Sequence, residues 1–288
     1  MVFIRGDSMC EFCIKHGEGK IWYLQAKNYS LDMLNDLRRR KWIERFLINV
    51  ENDMTKLAIL DKLRQRSSIL YGLAKRFLTR KLKKEHFGQV VPLEDAQKIF
   101  EITNTIVRVP CACRKATKGK EVRSCFGFSV EPNSLFGYPL DDFWPDYSTG
   151  PEVRQAEKVE REKALEILSD FEKRGAIHTV WTFNTPFVAA FCNCDRQDCL
   201  AFRTEMTLGS KVMFRAEYYA SVDWERCTGC KNCLKQCSFG AIRYSLEQDR
   251  CSVDVTKCFG CGICRISCPE EAITLHSRRE HPTLNKLW

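Results

Sequence analysis

The hydrophobic pattern of the first third of the chain predicts helices. From residue 31 to about residue 86, apolar side chains recur every three or four positions, which is the spacing of one face of an α-helix. Ser30 precedes this stretch and is a suitable N-cap, because its hydroxyl oxygen can accept a hydrogen bond from the first turn. The positions that carry the pattern are Leu34, Leu37, Phe46, Leu47, Met54, Leu57, Ala58, Leu63, Ile69, Leu70, Leu73 and Phe77.

The pattern changes at residues 90–92 (VVP), after which short strand-like runs alternate with helical ones. The first predicted strand leads directly into Cys111 and Cys113, and the last one carries Cys192 and Cys194. The predicted elements are a helix at 93–103, a strand at 106–109, a helix at 152–173 that ends at Gly175, and strands at 177–182 and 187–194.

The last region, residues 218–276, contains an internal repeat of 31 residues. In each half, predicted strands stand before and after a cysteine-rich loop, which indicates two related halves around a small core. The matching positions are Val222 with Val253, Asp223 with Asp254, Gly229 with Gly260, Ala241 with Ala272 and Ile242 with Ile273, together with four cysteines of each half.

The composition is that of an ordinary globular protein, with 288 residues of which 44% are hydrophobic and 29% charged. We find no apolar run long enough for a signal peptide or a membrane span. We therefore expect a cytoplasmic protein. In that reducing compartment, the 17 cysteines are better explained as metal ligands than as disulfides.

Two runs, at 227–238 and 258–269, have the spacing C-x2-C-x2-C-x3-C. Such a run presents three thiolates to one [4Fe-4S] cluster and sends the fourth to the neighbouring cluster. The spacing therefore predicts two [4Fe-4S] clusters. One would be held by Cys227, Cys230, Cys233 and Cys268, and the other by Cys258, Cys261, Cys264 and Cys237. Cys251 lies outside both runs and is interpreted as a structural thiol.

These runs and the repeat resemble the bacterial two-[4Fe-4S] ferredoxin family over about 60 residues. The resemblance implies a dicluster ferredoxin fold at 218–276. We thus predict an α+β protein with a basic, mainly helical N-terminal region at 1–91, a mixed α/β middle domain with a split cysteine site at 92–217, the ferredoxin domain, and a tail at 277–288.

A second set of cysteines forms no standard motif. In an extended strand, residues two apart share a face, so each C-x-C pair can present two sulfurs to one site. If the two strands are neighbours, the sulfurs converge on a split metal site, with a third Fe–S cluster favoured over zinc; a redox-active thiol pair and buried core thiols are the alternatives. The residues concerned are Cys111, Cys113, Cys125, Cys192, Cys194 and Cys199.

A weaker candidate for metal binding is the N-terminal spacing of Cys10, Cys13 and His16, which lacks a partner half. The order PCACR, GAIH, CNC-x4-C and then the ferredoxin module also resembles a group of 4Fe-4S binding proteins from anaerobes, over residues 92–276. That resemblance implies an anaerobic redox setting and no particular substrate. His178, within GAIH, is more typical of a structural histidine than of a ligand.

Charged residues are distributed unevenly along the chain, and this indicates which region a charged partner would contact. Residues 1–91 contain 19 Lys and Arg against 10 Asp and Glu, which is the whole surplus of +9. We expect this region to face an acidic partner, since the rest of the chain is balanced. Its basic runs at 38–41 and 75–84 would otherwise be solvated helix faces.

The sequence favours an iron–sulfur electron-transfer protein or subunit that relays single low-potential electrons to or from a redox enzyme, which could be acidic or contain flavin. It shows no nucleotide-binding loop or hydrolase motif of its own. Two alternatives stay open: a redox-sensing nucleic-acid-binding regulator, and an oxidoreductase with catalysis at the upstream cysteines. The scattered basic residues, with no helix-turn-helix pattern, do not favour nucleic acid.

Overall fold

The computed structural model describes residues 11–55, 57–119, 122–141 and 157–284, without the side chains at 50–58 and 61. Helices and strands are mixed along this part of the chain, in agreement with the predicted α+β class. Among the described residues, no helix is long and apolar enough to cross a membrane.

The N-terminal region is helical, as its pattern predicts. Three 3-10 turns at Trp22–Leu24, Ala26–Tyr29 and Leu31–Asn35 precede the longer helices, and the Ser30 hydroxyl caps the third by accepting a hydrogen bond from the N–H of Asp32. The helices are α1 (Glu11–Gly17), α2 (Leu37–Thr55), α3 (Leu57–Arg66) and α4 (Ser68–Glu85).

A seven-stranded sheet forms the centre of the molecule. Its strand order is β6-β2-β3-β8-β7-β1-β9, and each pair is antiparallel except β1 with β9. Its strands are β1 (Gly88–Val90), β2 (Thr105–Val109), β3 (Cys125–Ser129), β6 (Glu157–Lys158), β7 (Ile177–Thr182), β8 (Val188–Cys194) and β9 (Met213–Phe214); a separate hairpin joins β4 (Ser134–Leu135) to β5 (Tyr138–Pro139).

Helices α5 (Leu93–Ile102), α6 (Ala112–Lys118), α7 (Arg161–Lys173) and α8 (Leu200–Met206) connect these strands. The helix predicted at 152–173 begins later than expected, at Arg161. Residues 157–158 pair with β2 at the edge of the sheet and cannot also be helical, whereas 152–156 lie outside the described residues.

The sheet has a hydrophobic core on each face. One core joins Phe12, Trp22 and Tyr23 of the N-terminal region to Phe100 and Phe126. The N-terminal region and the middle domain therefore share a core, and β1 lies in the sheet although it precedes residue 91. The opposite core contains Leu34, Ile43, Trp181, Cys194, Cys199, Phe202, Phe239 and Phe259.

Residues 218–277 form the C-terminal unit, whose two strand pairs follow the 31-residue repeat. The strands are β10 (Tyr218–Val222), β11 (Ile242–Ser245), β12 (Arg250–Val253) and β13 (Ile273–Ser277), and the helices are α9 (Asn232–Gln236) and α10 (Ile263–Ile266). β10 pairs with β13 and β11 pairs with β12, both antiparallel, so that each half contributes one strand to each pair.

This unit packs against the middle domain through apolar and polar contacts. Phe239 and Phe259 stack on each other with ring centroids 3.9 Å apart, and Phe239 lies 5.2 Å from Phe202 of α8. The N–H of Ala216 donates to the carbonyl of Phe259 at 2.9 Å, and Arg265 forms an ion pair with Glu94.

Candidate metal centres

Glycines at equivalent positions let the two cysteine loops turn sharply. Gly229 and Gly260 both have φ of +69°, a left-handed conformation that favours glycine. A Cβ at Gly260 would lie 2.1 Å from the carbonyl oxygen of Tyr218, and one at Gly229 would lie 2.5 Å from that of Asp249. The loops therefore need glycine for both conformation and space.

The fourth cysteine of each run lies with the other loop. Cys268, from the second run, lines one cavity together with Cys227, Cys230 and Cys233 of the first. In the other half, Cys237 is close enough to Cys258 and Cys261 for their charges to interact. The structure thus brings together both predicted sets of four cysteines.

Backbone N–H groups point at the sulfurs of both loops. Ala241 donates to Sγ of Cys237 at 3.3 Å, and Ala272, its equivalent in the repeat, donates to Sγ of Cys268 at 3.4 Å. Gly260 donates to Sγ of Cys258 at 3.4 Å. Such bonds stabilise thiolate ligands and tune the potential of a cluster.

The donor set fits [4Fe-4S] clusters. Burial raises the pKa of Cys233 and of Cys261 to about 12, so that the thiolate forms need the positive charge of bound metal. Four cysteines around one cavity, with N–H donors behind the sulfurs, meet the requirements of a cubane cluster.

Residues 226–273 match the family model described as a 4Fe-4S dicluster domain. The chain therefore carries a ferredoxin-like 4Fe-4S module near its C-terminus, which supports an iron–sulfur electron-transfer role. No curated protein matches the chain.

The upstream cysteines meet in space, although part of their predicted setting was wrong. Cys192 and Cys194 lie on β8 as expected, but the strand before Cys111 ends at Val109 and Cys113 lies in α6. Pro110 explains the difference, because proline lacks the N–H that a continuing strand would need. The strand that brings an upstream cysteine next to β8 is β3, on which Cys125 lies directly opposite Cys192.

All six upstream cysteines are free thiols and form one connected group, named here the six-thiol cluster. Four are buried, and Cys113 and Cys192 are partly buried. Cys125 pairs directly with Cys192 across β3 and β8, and the sulfurs of Cys199 and Cys194 lie 3.2 Å apart. Cys113 packs in the same core as Cys194 and Cys199, and Cys111 lies beside Arg114, which also reaches the carbonyl of Asn193 between Cys192 and Cys194.

Buried Arg114 stands beside this cluster. Its guanidinium lies 3.8 Å from Sγ of Cys111 and donates to the Ser124 hydroxyl, the Asn193 carbonyl and the Asp195 carboxylate. Hydrogen bonds from Cys113 and Cys125, with the charge of Arg114, hold the pKa of Cys111 well below its usual range.

The described residues contain no three His, Cys, Asp or Glu side chains arranged to hold one metal ion. The same holds for the ferredoxin cysteines, although residues 226–273 match the dicluster model.

The N-terminal candidates have other surroundings. Cys10 lies outside the described residues. Cys13 is fully buried against the carboxylate of Glu217, with Sγ to Oε1 at 3.5 Å, and His16 packs its ring against Phe12. Metal binding by these residues stays a prediction without support from the contacts.

His178 is buried on β7, opposite Asn193 of β8. Its Nδ1 lies 2.7 Å from Oδ1 of Asn193, and burial lowers its pKa to about 4. The amide of Asn193 donates to the carbonyl of Ser124 at 2.7 Å. The neutral histidine thus positions the residue between Cys192 and Cys194, which agrees with a structural role.

Proposed function

We propose that the chain is an electron-transfer protein or subunit that carries two [4Fe-4S] clusters and relays single low-potential electrons to or from a partner redox enzyme. The observation that carries this proposal is the crossed arrangement of the two cysteine runs, in which Cys268 joins Cys227, Cys230 and Cys233 around one cavity. When bound, each cluster supplies one-electron chemistry.

The protein's own residues would hold, tune and shield these clusters. Cys227, Cys230, Cys233 and Cys268 hold the first, and Cys258, Cys261, Cys264 and Cys237 hold the second. The N–H groups of Ala220, Ala241 and Ala272 are aimed at ligand sulfurs. The stacked rings of Phe239 and Phe259 exclude water where the second loop meets the middle domain.

The first cluster would exchange electrons with the partner. Cys230 is exposed, and Trp224 nearby along the chain is 46% exposed. Cys261 and Cys237 of the second cluster pack instead against the core shared with the middle domain. An electron would therefore enter or leave most readily at the Cys230 side.

The partner would dock first on helix α4. Its exposed face carries Ile69, Leu73 and Phe77, which are 60–76% exposed, and then Arg80 and Lys84. Apolar side chains that continue into basic ones at helical spacing suit an acidic protein with an apolar patch. Attraction by these charges would chiefly accelerate association.

The test is cluster content with single-cysteine variants. Protein purified anaerobically and reconstituted should hold about eight irons in two [4Fe-4S] clusters, each visible by EPR after reduction. Cys230→Ala should remove the first signal, and Cys261→Ala the second. Cys13→Ala, which removes a buried thiol outside both loops, should keep both. Fewer than about seven irons, or loss of the same signal in both variants, would overturn the proposal.

A further inference from the structure

The six-thiol cluster is assembled from three separate parts of the chain. Cys111 and Cys113 stand at the start of α6, Cys125 opens β3, and Cys192 and Cys194 end β8, while Cys199 immediately precedes α8. Bringing such distant segments together is entropically unfavourable. A function that needs these sulfurs together is therefore a better explanation than six independent core thiols.

The six thiols stand beside one another on adjoining elements. Cys125 pairs directly with Cys192 across β3 and β8, and the sulfurs of Cys199 and Cys194 lie 3.2 Å apart. Cys113 packs in the same core as Cys194 and Cys199. The guanidinium of Arg114 lies 3.8 Å from Sγ of Cys111 and donates to the carbonyl of Asn193, the residue between Cys192 and Cys194, so both cysteines of the CAC motif stand beside the strand that carries the CNC motif.

Sulfurs that share one metal atom lie close together. In a tetrahedral thiolate site with metal–sulfur bonds of about 2.3 Å, neighbouring sulfurs are separated by about 3.8 Å. The sulfurs of Cys199 and Cys194, 3.2 Å apart, are close to that separation.

The number of thiols exceeds what a single tetrahedral ion can take. One such ion binds four thiolates, whereas six free cysteines converge here. Six thiolates therefore match two metal positions that share ligands, with Cys111, beside the Arg114 guanidinium, among them.

We propose that the six-thiol cluster is a third metal centre in which thiolates hold at least two metal atoms, as an iron–sulfur cluster or as a pair of zinc ions. Cysteine thiolates hold both kinds of centre, so the identity of the bound metal distinguishes the cluster from the zinc pair. The proposal does not rest on the two-cluster function, because none of its six cysteines belongs to the ferredoxin loops.

The centre would lie next to the ferredoxin module. Cys194, Cys199 and Phe202 belong to the same hydrophobic core as Phe239 and Phe259. Phe202 follows Cys199 by three residues and contacts Phe239 at 5.2 Å. Metal bound at the six-thiol cluster would thus stabilise the surface on which the module packs.

The first test is the metal content of the full chain. Cells supplied with both iron and zinc provide the protein, which is purified anaerobically and analysed for iron, zinc and acid-labile sulfide. We expect about two or more metal atoms per chain beyond the eight or so irons of the ferredoxin module. Additional iron with additional sulfide identifies a cluster, and about two zinc ions identify a zinc pair.

A count that stops at about eight irons would overturn the proposal, and mass spectrometry of alkylated thiols would then show whether the six cysteines are free or disulfide-linked. A single additional zinc ion would overturn the polynuclear site. This count uses the wild-type chain and does not depend on the folding of any variant.

The second test removes ligands. Cys192→Ser with Cys194→Ser should abolish the additional metal and leave both ferredoxin EPR signals in place. Val188→Ala, a truncation at a buried position of the same strand, should leave the additional metal unchanged. Conversely, Cys230→Ala and Cys261→Ala should lose ferredoxin signals while they retain the additional metal. Undiminished metal in the double variant would overturn the assignment.

Discussion

Ala220 and Cys251 occupy equivalent positions in the two halves of the ferredoxin module, and each donates its N–H to the first cysteine of a run. Ala220 bonds to Sγ of Cys258 at 3.4 Å, and Cys251 bonds to Sγ of Cys227 at 3.5 Å. Their side chains differ, however. The Cys251 thiol lines the cavity of the first cluster and interacts with Cys233, whereas Ala220 places a methyl group at the same point of the second.

Replacement of Cys251 by alanine should change one cluster and spare the other. Both clusters should still form, because Cys251 keeps its backbone N–H and is not among the predicted ligands. The loss of a thiol beside Cys233 should shift the midpoint potential and EPR signal of the first cluster. Redox titration followed by EPR would measure this shift. The reciprocal change, Ala220→Cys, should affect the second cluster, and an equal shift of both signals in either variant would contradict the assignment.

Reversal of charge on α4 should slow partner association. Arg80→Glu with Lys84→Glu should lower the rate of electron transfer to an acidic flavin-containing acceptor by about tenfold at low ionic strength, and the rate should then depend less on salt. Lys83 is left in place because it pairs with Glu11 and lies over the ring of Phe12.

The matched control for this docking prediction is Lys163→Glu with Lys173→Glu on α7. These two lysines are 64% and 67% exposed, and their reversal changes the net charge by the same amount. If both double variants slow the reaction equally, net charge rather than a surface on α4 directs association.

The ferredoxin loops could be predicted from the sequence because the spacing of their cysteines is itself set by cluster geometry. The pairing of Cys268 with the first loop follows from that spacing, and the structure places it there. The strand that carries Cys192 and Cys194 was likewise predicted, since its apolar and polar positions mark an extended run with cysteines two apart.

Long-range contacts were less accessible from the sequence. The position of Cys113 in a helix depends on the strand ending before Pro110, and the approach of Cys125 to Cys192 depends on the pairing of β3 with β8. The packing of Trp22 and Tyr23 beneath the sheet was also not predicted. The helical pattern and the basic charge of the N-terminal region indicate helices, and they do not indicate which core those residues join. Local pattern predicts elements, and tertiary pairing decides which of them meet.

Glu172 should make stability depend on pH. Burial raises its pKa from the ordinary 4.5 to about 7, with the charge of Arg265 opposing the shift, and its Oε1 has no hydrogen-bond partner among the described residues. Between these values the folded chain holds a proton that the unfolded chain has released, so stability is greatest below pH 4.5 and falls as the pH rises through 7.

Glu172→Gln removes the ionisable group. It should raise the free energy of unfolding at pH 8 by up to about 3 kcal/mol, with little effect at pH 5. Denaturant titrations at the two pH values measure the difference. Glu166→Gln, at a 65% exposed position of the same helix, should show no such dependence. A gain of equal size at both pH values would mean that packing, rather than ionisation, explains the effect.

Arg114 joins the segments around the six-thiol cluster, and lysine should not replace it. Its Nη1 donates to the Ser124 hydroxyl and its Nη2 donates to the Asn193 carbonyl and the Asp195 carboxylate, two positions that the single nitrogen of an ammonium cannot occupy together. Arg114→Lys should therefore lower the free energy of unfolding by about 1–3 kcal/mol, because it leaves buried acceptors without donors. Denaturant titration under anaerobic conditions measures this loss.

Arg174→Lys provides the control, since that exposed side chain bonds to a carbonyl of its own helix and should change stability by less than about 0.5 kcal/mol. Equal losses in the two variants would show that the fork geometry of Arg114 does not hold these segments together.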